Sequence, residues 1–169
     1  MLSNKFAFFA VLVLAFAATG FSEPTSNTVT IETESRFCLL LPPHPGGDIS
    51  ENVHRSISFC TDSIRSIPDA KYFPDGFIRS AHYRRRGDRY VQITGRIDRD
   101  AYDLDDDDHG GQNDPKHPLD ASCRDYPYFV QFIEPNENIY CLRCCQNKSD
   151  CPTDRSGEGC RDVIGGNYD

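Results

Sequence analysis

Apolar residues along the chain gather in short runs and do not recur at helical spacing. The run Phe37–Leu41 is apolar throughout and ends at two prolines, which predicts a short buried strand. Apolar anchors between Val53 and Thr61 predict a second one. Frequent glycine, proline and asparagine turns separate such runs. The pattern therefore indicates a mainly β fold, either a small sandwich or a barrel with long polar loops.

Two pairs of runs rich in β-branched and aromatic residues predict hairpins. The runs are residues 77–83 with 90–94, and residues 128–133 with 139–142. The arginine-rich residues 84–89 form the expected tip of the first hairpin. Pro135–Asn138 connects the second pair, and its residue types favour a tight turn.

Residues 1–22 differ in kind from the rest of the chain. They contain one charged residue, Lys5, followed by an apolar run from Phe6 to Ala18. That run has the length of a signal-peptide core and is too short to cross a bilayer. We therefore expect a secreted, extracellular protein without membrane insertion. The polar residues 23–36 are predicted to form a flexible N-terminal arm, and residues 37–169 a single cysteine-rich β domain.

Net charge excludes one class of partner. The whole chain carries −8, and removal of the leader, whose one charge is Lys5, leaves −9. Domains that bind nucleic acid through their bulk charge are usually basic. We therefore expect no nucleic-acid partner.

Eight cysteines in a short exported chain indicate a disulfide framework. They are Cys38, Cys60, Cys123, Cys141, Cys144, Cys145, Cys151 and Cys160. The connectivity is open at this point. If residues 139–145 form a strand, Cys141 and Cys145 share one face and Cys144 points to the other. Cys144 and Cys145 are then expected to have different partners.

Spacing suggests further uses of the cysteines. Cys151 and Cys160 enclose a short loop and are placed to pair with each other. Cys141 and Cys144 have the CxxC spacing of a zinc site or a redox pair. Export argues against zinc, and a polar loop follows where a redox motif has a helix. That loop contains an N-glycosylation sequon whose acceptor is Asn147.

Ten aspartates lie between Asp98 and Asp125. Asp103, Asp105 and Asp107 match the first ligand positions of a calcium loop. The match then fails, because an aspartate stands where glycine is needed and a proline where a helix should continue. We therefore expect no cofactor, with weak calcium binding at these three residues as an alternative to a solvated, self-repelling loop.

A basic run is the candidate interaction loop. It consists of Arg84, Arg85, Arg86, Gly87 and Asp88. A basic hairpin tip can pair with the acidic run or touch an anionic surface. Its last three residues also form the tripeptide that animal integrins recognise, so adhesion is an alternative. A solvated turn is a third interpretation.

The histidines do not form a known catalytic motif, and no catalytic residue is assigned. They are His44, His54, His82, His109 and His117. His82 lies in a predicted strand, where a carboxylate can meet it across the sheet. A hydrolase site assembled from a histidine and a distant carboxylate therefore stays open.

Several short segments of the sequence together resemble a group of small secreted cysteine-rich fungal proteins. The segments are Phe37–Pro43, Phe73–Ile78, Tyr90–Gly95, Ile139–Cys145 and Asn147–Cys151. Some members of the group carry the label macrophage-activating glycoprotein. The resemblance implies an exported, glycosylated fungal protein, and it brings no catalytic residues with it.

The sequence favours a secreted, non-enzymatic, effector-like protein that meets an unknown extracellular, cell-wall or host-surface ligand. A disulfide-fastened β framework with polar loops supports this hypothesis, because binding sites are often displayed on such loops. The alternatives are a small secreted hydrolase and a calcium- or carbohydrate-binding module, for which the tyrosines offer a sugar-binding platform.

Overall fold

Ten strands form two five-stranded sheets in a computed structural model that describes residues 25–61, 64 and 67–169. The first sheet contains β1 (Thr28–Thr33), β2 (Arg36–Leu41), β3 (Ile57–Cys60), β4 (Lys71–Tyr72) and β8 (Ser122–Cys123), in the order β4-β3-β2-β1-β8. The second contains β5 (His82–Arg86), β6 (Tyr90–Arg96), β7 (Gly111–Asn113), β9 (Tyr128–Glu134) and β10 (Ile139–Cys145), in the order β5-β6-β10-β9-β7. The prediction of a mainly β, disulfide-stabilised fold is confirmed.

The helices are short. They are α1 (Ile49–Asn52) and α2 (Gly159–Val163), with 3-10 turns at Arg99–Tyr102, Pro135–Glu137 and Lys148–Asp150. Asp48 caps α1 by accepting the N–H of Glu51 at 2.9 Å. In the part of the chain that the structure describes, no helix is long and apolar enough to cross a membrane. The predicted leader, residues 1–22, lies outside the described residues.

Side chains from both sheets meet in one core, which makes the fold a sandwich. The ring of Phe37 on β2 stacks on that of Tyr140 on β10, with centroids 5.7 Å apart. The buried hydroxyl of Tyr140 donates to the carbonyl of Ser80 at 3.1 Å, so the core carries no unpaired phenol at this point.

Strand β10 is buried on both faces, which explains why all its residues except Arg143 are apolar. Tyr140, Leu142 and Cys144 face the first sheet. Cys141 and Cys145 face the opposite side, where α2 and the residues after it pack. A strand covered on both faces has no polar face to alternate with the apolar one.

All eight cysteines form disulfide bonds, which leaves no thiol for a zinc site or a CxxC redox pair. The bonds are Cys38–Cys60, Cys123–Cys144, Cys141–Cys160 and Cys145–Cys151. The prediction that Cys144 and Cys145 take different partners is confirmed. The predicted bond between Cys151 and Cys160 is wrong, because each of them bonds to the same face of β10.

Both predicted hairpins are present, as the antiparallel pairs β5–β6 and β9–β10. The first strand of the first hairpin begins at His82, so residues 77–81 of the predicted strand lie outside it. The first one differs in its tip. Arg84–Arg86 lie inside β5, and the turn consists of residues 87–89. Strand pairing continues to Arg86, which lies opposite Tyr90. The predicted tip, residues 84–89, is therefore wrong for Arg84–Arg86 and correct for residues 87–89.

The predicted flexible arm over residues 23–36 is wrong for residues 28–33. They form β1, which pairs with β2 and β8. Val29 and Ile31 are buried in the core between the sheets. Their alternation with threonines is the period-two pattern of a strand.

A buried amide joins the two sheets. Gln131 of β9 is 0% exposed. Its Oε1 accepts the backbone N–H of Leu40 at 2.8 Å, and its Nε2 donates to the carbonyl of Leu40 at 2.8 Å. The Nε2 also donates to Oδ1 of Asn113 at 3.2 Å. The amide thus gives Leu40 of β2 the two hydrogen bonds that a neighbouring strand would supply. Its third hydrogen bond holds β7 in place.

The aspartate run is not uniformly exposed to solvent, so the prediction of a solvated, self-repelling loop is wrong for part of it. Asp108 is buried and accepts the N–H groups of Ile49 and Gly110 at 2.8 and 2.7 Å. Asp114 is also buried and accepts the N–H of Lys116 at 2.8 Å. Two carboxylates of the run therefore fix the chain on either side of β7.

Candidate functional site

The outer edge of β7 forms the floor of an open cleft. In the described residues β7 pairs with β9 on one side and with no strand on the other. Ser50 and Val53, in and just after α1, supply one wall, and Thr153 and Ser156 supply the opposite wall. The cleft has a volume of about 390 Å³.

Two further hollows continue this cleft. One shares Asp114 and Thr153 with it and has a volume of about 260 Å³. The other shares Gly110, Gly111 and Ser156 with it and has a volume of about 400 Å³. We call the three together the β7 groove. It runs past the free edge of β7 from one end of the strand to the other.

The backbone at Gly110 requires a residue without a side chain. Its φ is +83°, and a Cβ there would lie 1.9 Å from the carbonyl oxygen of Ile133. The same position lines two of the three hollows. Glycine therefore lets the chain turn tightly into β7 and approach β9 closely.

Gln112 lines the groove and has an unpartnered acceptor. Its Nε2 donates to Oδ2 of Asp114 at 3.0 Å and to the carbonyl of Thr153 at 2.9 Å. Both partners are acceptors, so the amide nitrogen must face them. The Oε1 is buried and has no hydrogen-bond partner in the part of the chain that the structure describes. Such an atom is costly to leave unpaired, and a ligand that donates a hydrogen bond would satisfy it.

Asp114 and His117 form a histidine–carboxylate pair in the central cleft. Their Oδ1 and Nδ1 atoms lie 3.2 Å apart. The aspartate is buried, whereas the histidine side chain is 53% exposed. The carboxylate therefore orients the ring and leaves its other nitrogen free to meet a ligand.

The two ends of the groove carry opposite charge. Glu134 and Glu137 line one end, and Lys116 and Lys148 line the other. Burial raises the pKa of Glu134 above its ordinary value, and the N–H of Cys160 at 3.2 Å from Oε2 opposes this shift. Neither lysine forms an ion pair with the described residues.

The wall opposite α1 is anchored by disulfides. Residues 152–158 run between Cys151 and Cys160, and each of these cysteines is bonded to β10. A loop held at both ends on a buried strand keeps its shape when a ligand arrives. The groove is thus built on the rigid part of the molecule.

The candidate interaction loop lies elsewhere, on the other edge of the second sheet. Arg85 of this loop meets Asp88 at 3.5 Å, and Arg89, the residue after the loop, forms an ion pair with Asp150 of a distant segment. The acidic run instead pairs with Arg79 and Arg99. The predicted pairing of the basic run with the acidic run is therefore wrong. Gly87 and Asp88 are exposed at the turn, and adhesion through them stays a prediction.

The proposed calcium ligands are only partly brought together. Oxygens of Asp105, Asp106 and Asp107 lie within 4.8 Å of one another, and all three residues are exposed. Asp103 is not a member of this cluster. Calcium binding in the run stays a prediction.

His82 does not meet a side-chain carboxylate across the sheet, as the sequence suggested it could. It lies opposite Thr94 in the ladder, and its Nε2 is 3.2 Å from the backbone oxygen of Asp169. Asn147, the predicted glycosylation acceptor, is exposed within the ring closed by Cys145 and Cys151. Its glycosylation stays a prediction.

Sequence reasoning missed the groove residues. One signal was present: Asp114 is followed by Pro115, a pair that favours a turn, and His117 stands three positions after the aspartate. A turn brings such residues together. Gln112 offered no comparable signal, because its role depends on Thr153 from a distant segment.

Fold and site together define a small disulfide-stabilised β sandwich with a groove along one sheet edge. The chain is similar to Appressorium protein ROW1 of the fungus Mycosarcoma maydis, with 29% identity over 164 residues. The match covers 85% of this chain and 37% of that protein, so the chain spans little more than a third of its relative. No protein-family model matches the chain, and no solved structure does.

A fungal relative and a four-disulfide framework agree with the resemblance to cysteine-rich fungal proteins. Neither finding bears on the label macrophage-activating glycoprotein, which stays a prediction.

Proposed function

We propose that this protein is a secreted, non-enzymatic fungal protein that binds a ligand at a cell wall or host surface through the β7 groove. The observation that carries the proposal is an open groove lined by Gln112, whose buried Oε1 has no hydrogen-bond partner among the described residues. A folded chain gains nothing by leaving such an atom unpaired, whereas a binding protein uses it to recognise a donor.

Two further observations support the extracellular part of the proposal. Disulfide-dense small domains are typical of proteins that work in oxidising surroundings outside the cell. The similar protein comes from a fungus and is named an appressorium protein. Both support a role at the boundary between a fungus and its surroundings.

Ser50→Trp is the variant that tests the groove. Ser50 is exposed on the α1 wall, and an indole there fills the central cleft. We expect the wild-type protein to be retained on isolated fungal walls or on host cells, and the variant to lose about tenfold or more in affinity. Retention is measured by sedimentation of the labelled protein with each surface.

Glu51→Trp is the matched control. Glu51 is the next residue of the same helix and is exposed outside the residues that line the groove. It should bind as the wild type does. Failure of the wild type to bind any surface would contradict the proposed function. Equal retention of the Ser50 and Glu51 variants would show that binding does not use the β7 groove.

A small secreted hydrolase is the second candidate, and the Asp114–His117 pair favours it. A hydrolase of this kind needs a hydroxyl nucleophile or a water next to the free ring nitrogen. The nearby hydroxyl of Ser50 instead donates to Asp48 at 2.7 Å. The geometry therefore supports binding better than hydrolysis.

The two candidates differ in one experiment. The wild type, His117→Ala and His82→Ala are incubated with fluorogenic ester, peptide and glycoside substrates. We expect no turnover that depends on His117. Turnover that the His117 variant loses and the His82 variant keeps would establish the hydrolase instead.

A further inference from the structure

We propose that the β7 groove accepts an extended peptide segment of a partner protein, which adds to the second sheet as a strand next to β7. This inference rests on the proposed function and names the class of ligand for the same site.

The free edge of β7 offers backbone hydrogen bonds. Residues of an antiparallel strand alternate in pointing their N–H and C=O groups toward or away from the neighbour. At least one of Gly111, Gln112 and Asn113 therefore presents both groups on the side away from β9. No described group outside β9 bonds to the backbone of these residues. An added peptide strand uses such groups for affinity.

The surroundings of this edge have the shape of a slot. α1 stands on one side of β7 and residues 153–156 on the other, so the walls flank the position that a next strand would occupy. A Cβ on Gly111 would lie 3.0 Å from Cγ1 of Val53 and 3.1 Å from Cα of Ser50, so glycine lets α1 pack directly against β7 and form this wall. Three residues of strand span about 10 Å, which a peptide of five residues covers with a residue to spare at each end.

The side chains around the slot favour a peptide over a polysaccharide. A peptide N–H and a sugar hydroxyl can each supply the donor that Oε1 of Gln112 lacks, so the choice between them depends on the other side chains. Sugar rings need flat aromatic faces to stack on, and the groove has little such surface. Phe132 is 1% exposed, and Tyr128, which is 36% exposed, stands at one end.

Charge sets the polarity of the peptide. Lys116 and Lys148 line the end next to Asp114, which follows β7, and Glu134 lines the end next to Gly110, which precedes it. An antiparallel peptide therefore carries its acidic residue first and its basic residue last. Antiparallel pairing is the commoner arrangement in sheets.

Selection from a random heptapeptide display library is the first test, with the wild type as bait and Ser50→Trp for counter-selection. We expect enriched sequences to bind the wild type and Glu51→Trp, and to lose about tenfold or more in affinity for Ser50→Trp. Enriched peptides are then synthesised, and each central amide is N-methylated in turn. Loss of about tenfold on methylation of one amide, measured by calorimetry, supports main-chain pairing.

Three results would overturn the inference. They are no enrichment relative to Ser50→Trp, peptide binding that survives N-methylation of every central amide, and release of surface-bound protein by glucan or chitin oligomers with no release by peptides. In the last case the groove still binds a surface, so the proposed function stands and the peptide assignment fails. If the wild type is not retained on any surface, the proposed surface-binding function itself is contradicted.

Discussion

Replacement of Cys123 and Cys144 together by alanine is expected to lower the melting temperature by about 6–12 °C, since a bridge of this loop length contributes about 3 kcal/mol. The bond closes a loop with a sequence separation of 21 and is the one disulfide that connects the two sheets. Both sites are buried, so alanine avoids the cost of burying a new hydroxyl.

The Cys38–Cys60 bond is a matched control because its sequence separation is 22. Its double alanine variant should lose a similar amount of stability through the unfolded chain. Only the Cys123/Cys144 variant should also lose hydrogen-exchange protection in β8, which otherwise holds to the fold through two residue pairs with β1. An unchanged melting temperature, or equal exchange in β8 for both variants, would contradict the structural role assigned to this bond.

The β9–β10 hairpin was predictable because its determinants are local. Two apolar runs flank Pro135–Asn138, and the turn needs a residue that tolerates a left-handed conformation. Asn138 takes that conformation with a φ of 53°. The faces of β10 followed from period two alone, so the separation of Cys144 from Cys145 was also predictable.

Strands β1 and β7 were not predictable to the same degree, for different reasons. β1 carried a period-two pattern, but threonine, serine and glutamate around it resembled a loose arm. β7 consists of Gly111, Gln112 and Asn113, none of which favours a strand. It exists because β9 pairs with it and because the amide of Gln131 holds Asn113.

The candidate site was the least predictable part. Residues from four separate segments of the chain line the β7 groove, so no sequence motif or spacing predicts it. The sequence pointed instead to features with an obvious signature, the aspartate run and the arginine run. Side-chain bonds that cross long stretches of chain decided the outcome, such as that between Gln112 and Thr153.

Gln131→Met should cost about 2–6 kcal/mol, because it leaves two buried backbone groups without partners and each such group costs about 1–3 kcal/mol. The groups are the N–H and C=O of Leu40, which the amide binds at 2.8 Å each. Methionine matches the glutamine in length and flexibility, so loss of packing contributes little. Urea denaturation measures the change. Gln146→Met, at an exposed position, should stay within about 0.5 kcal/mol of the wild type.

Gln131→Glu separates the hydrogen bonds from the packing through its pH dependence. A carboxyl group buried at this position has its pKa raised above the unfolded value by desolvation. Its protonated form can still donate to Leu40, whereas the carboxylate cannot donate and is buried without a counter-charge. The variant should therefore approach the wild type below about pH 4, the unfolded pKa of glutamate, and lose stability as pH rises through the folded pKa. A stability difference from wild type that is flat between pH 4 and 8 would contradict the role of the amide. The protonated carboxyl has one O–H, which Leu40 takes, so the bond to Asn113 of β7 is lost at every pH and groove binding by this variant should be weaker than that of the wild type throughout.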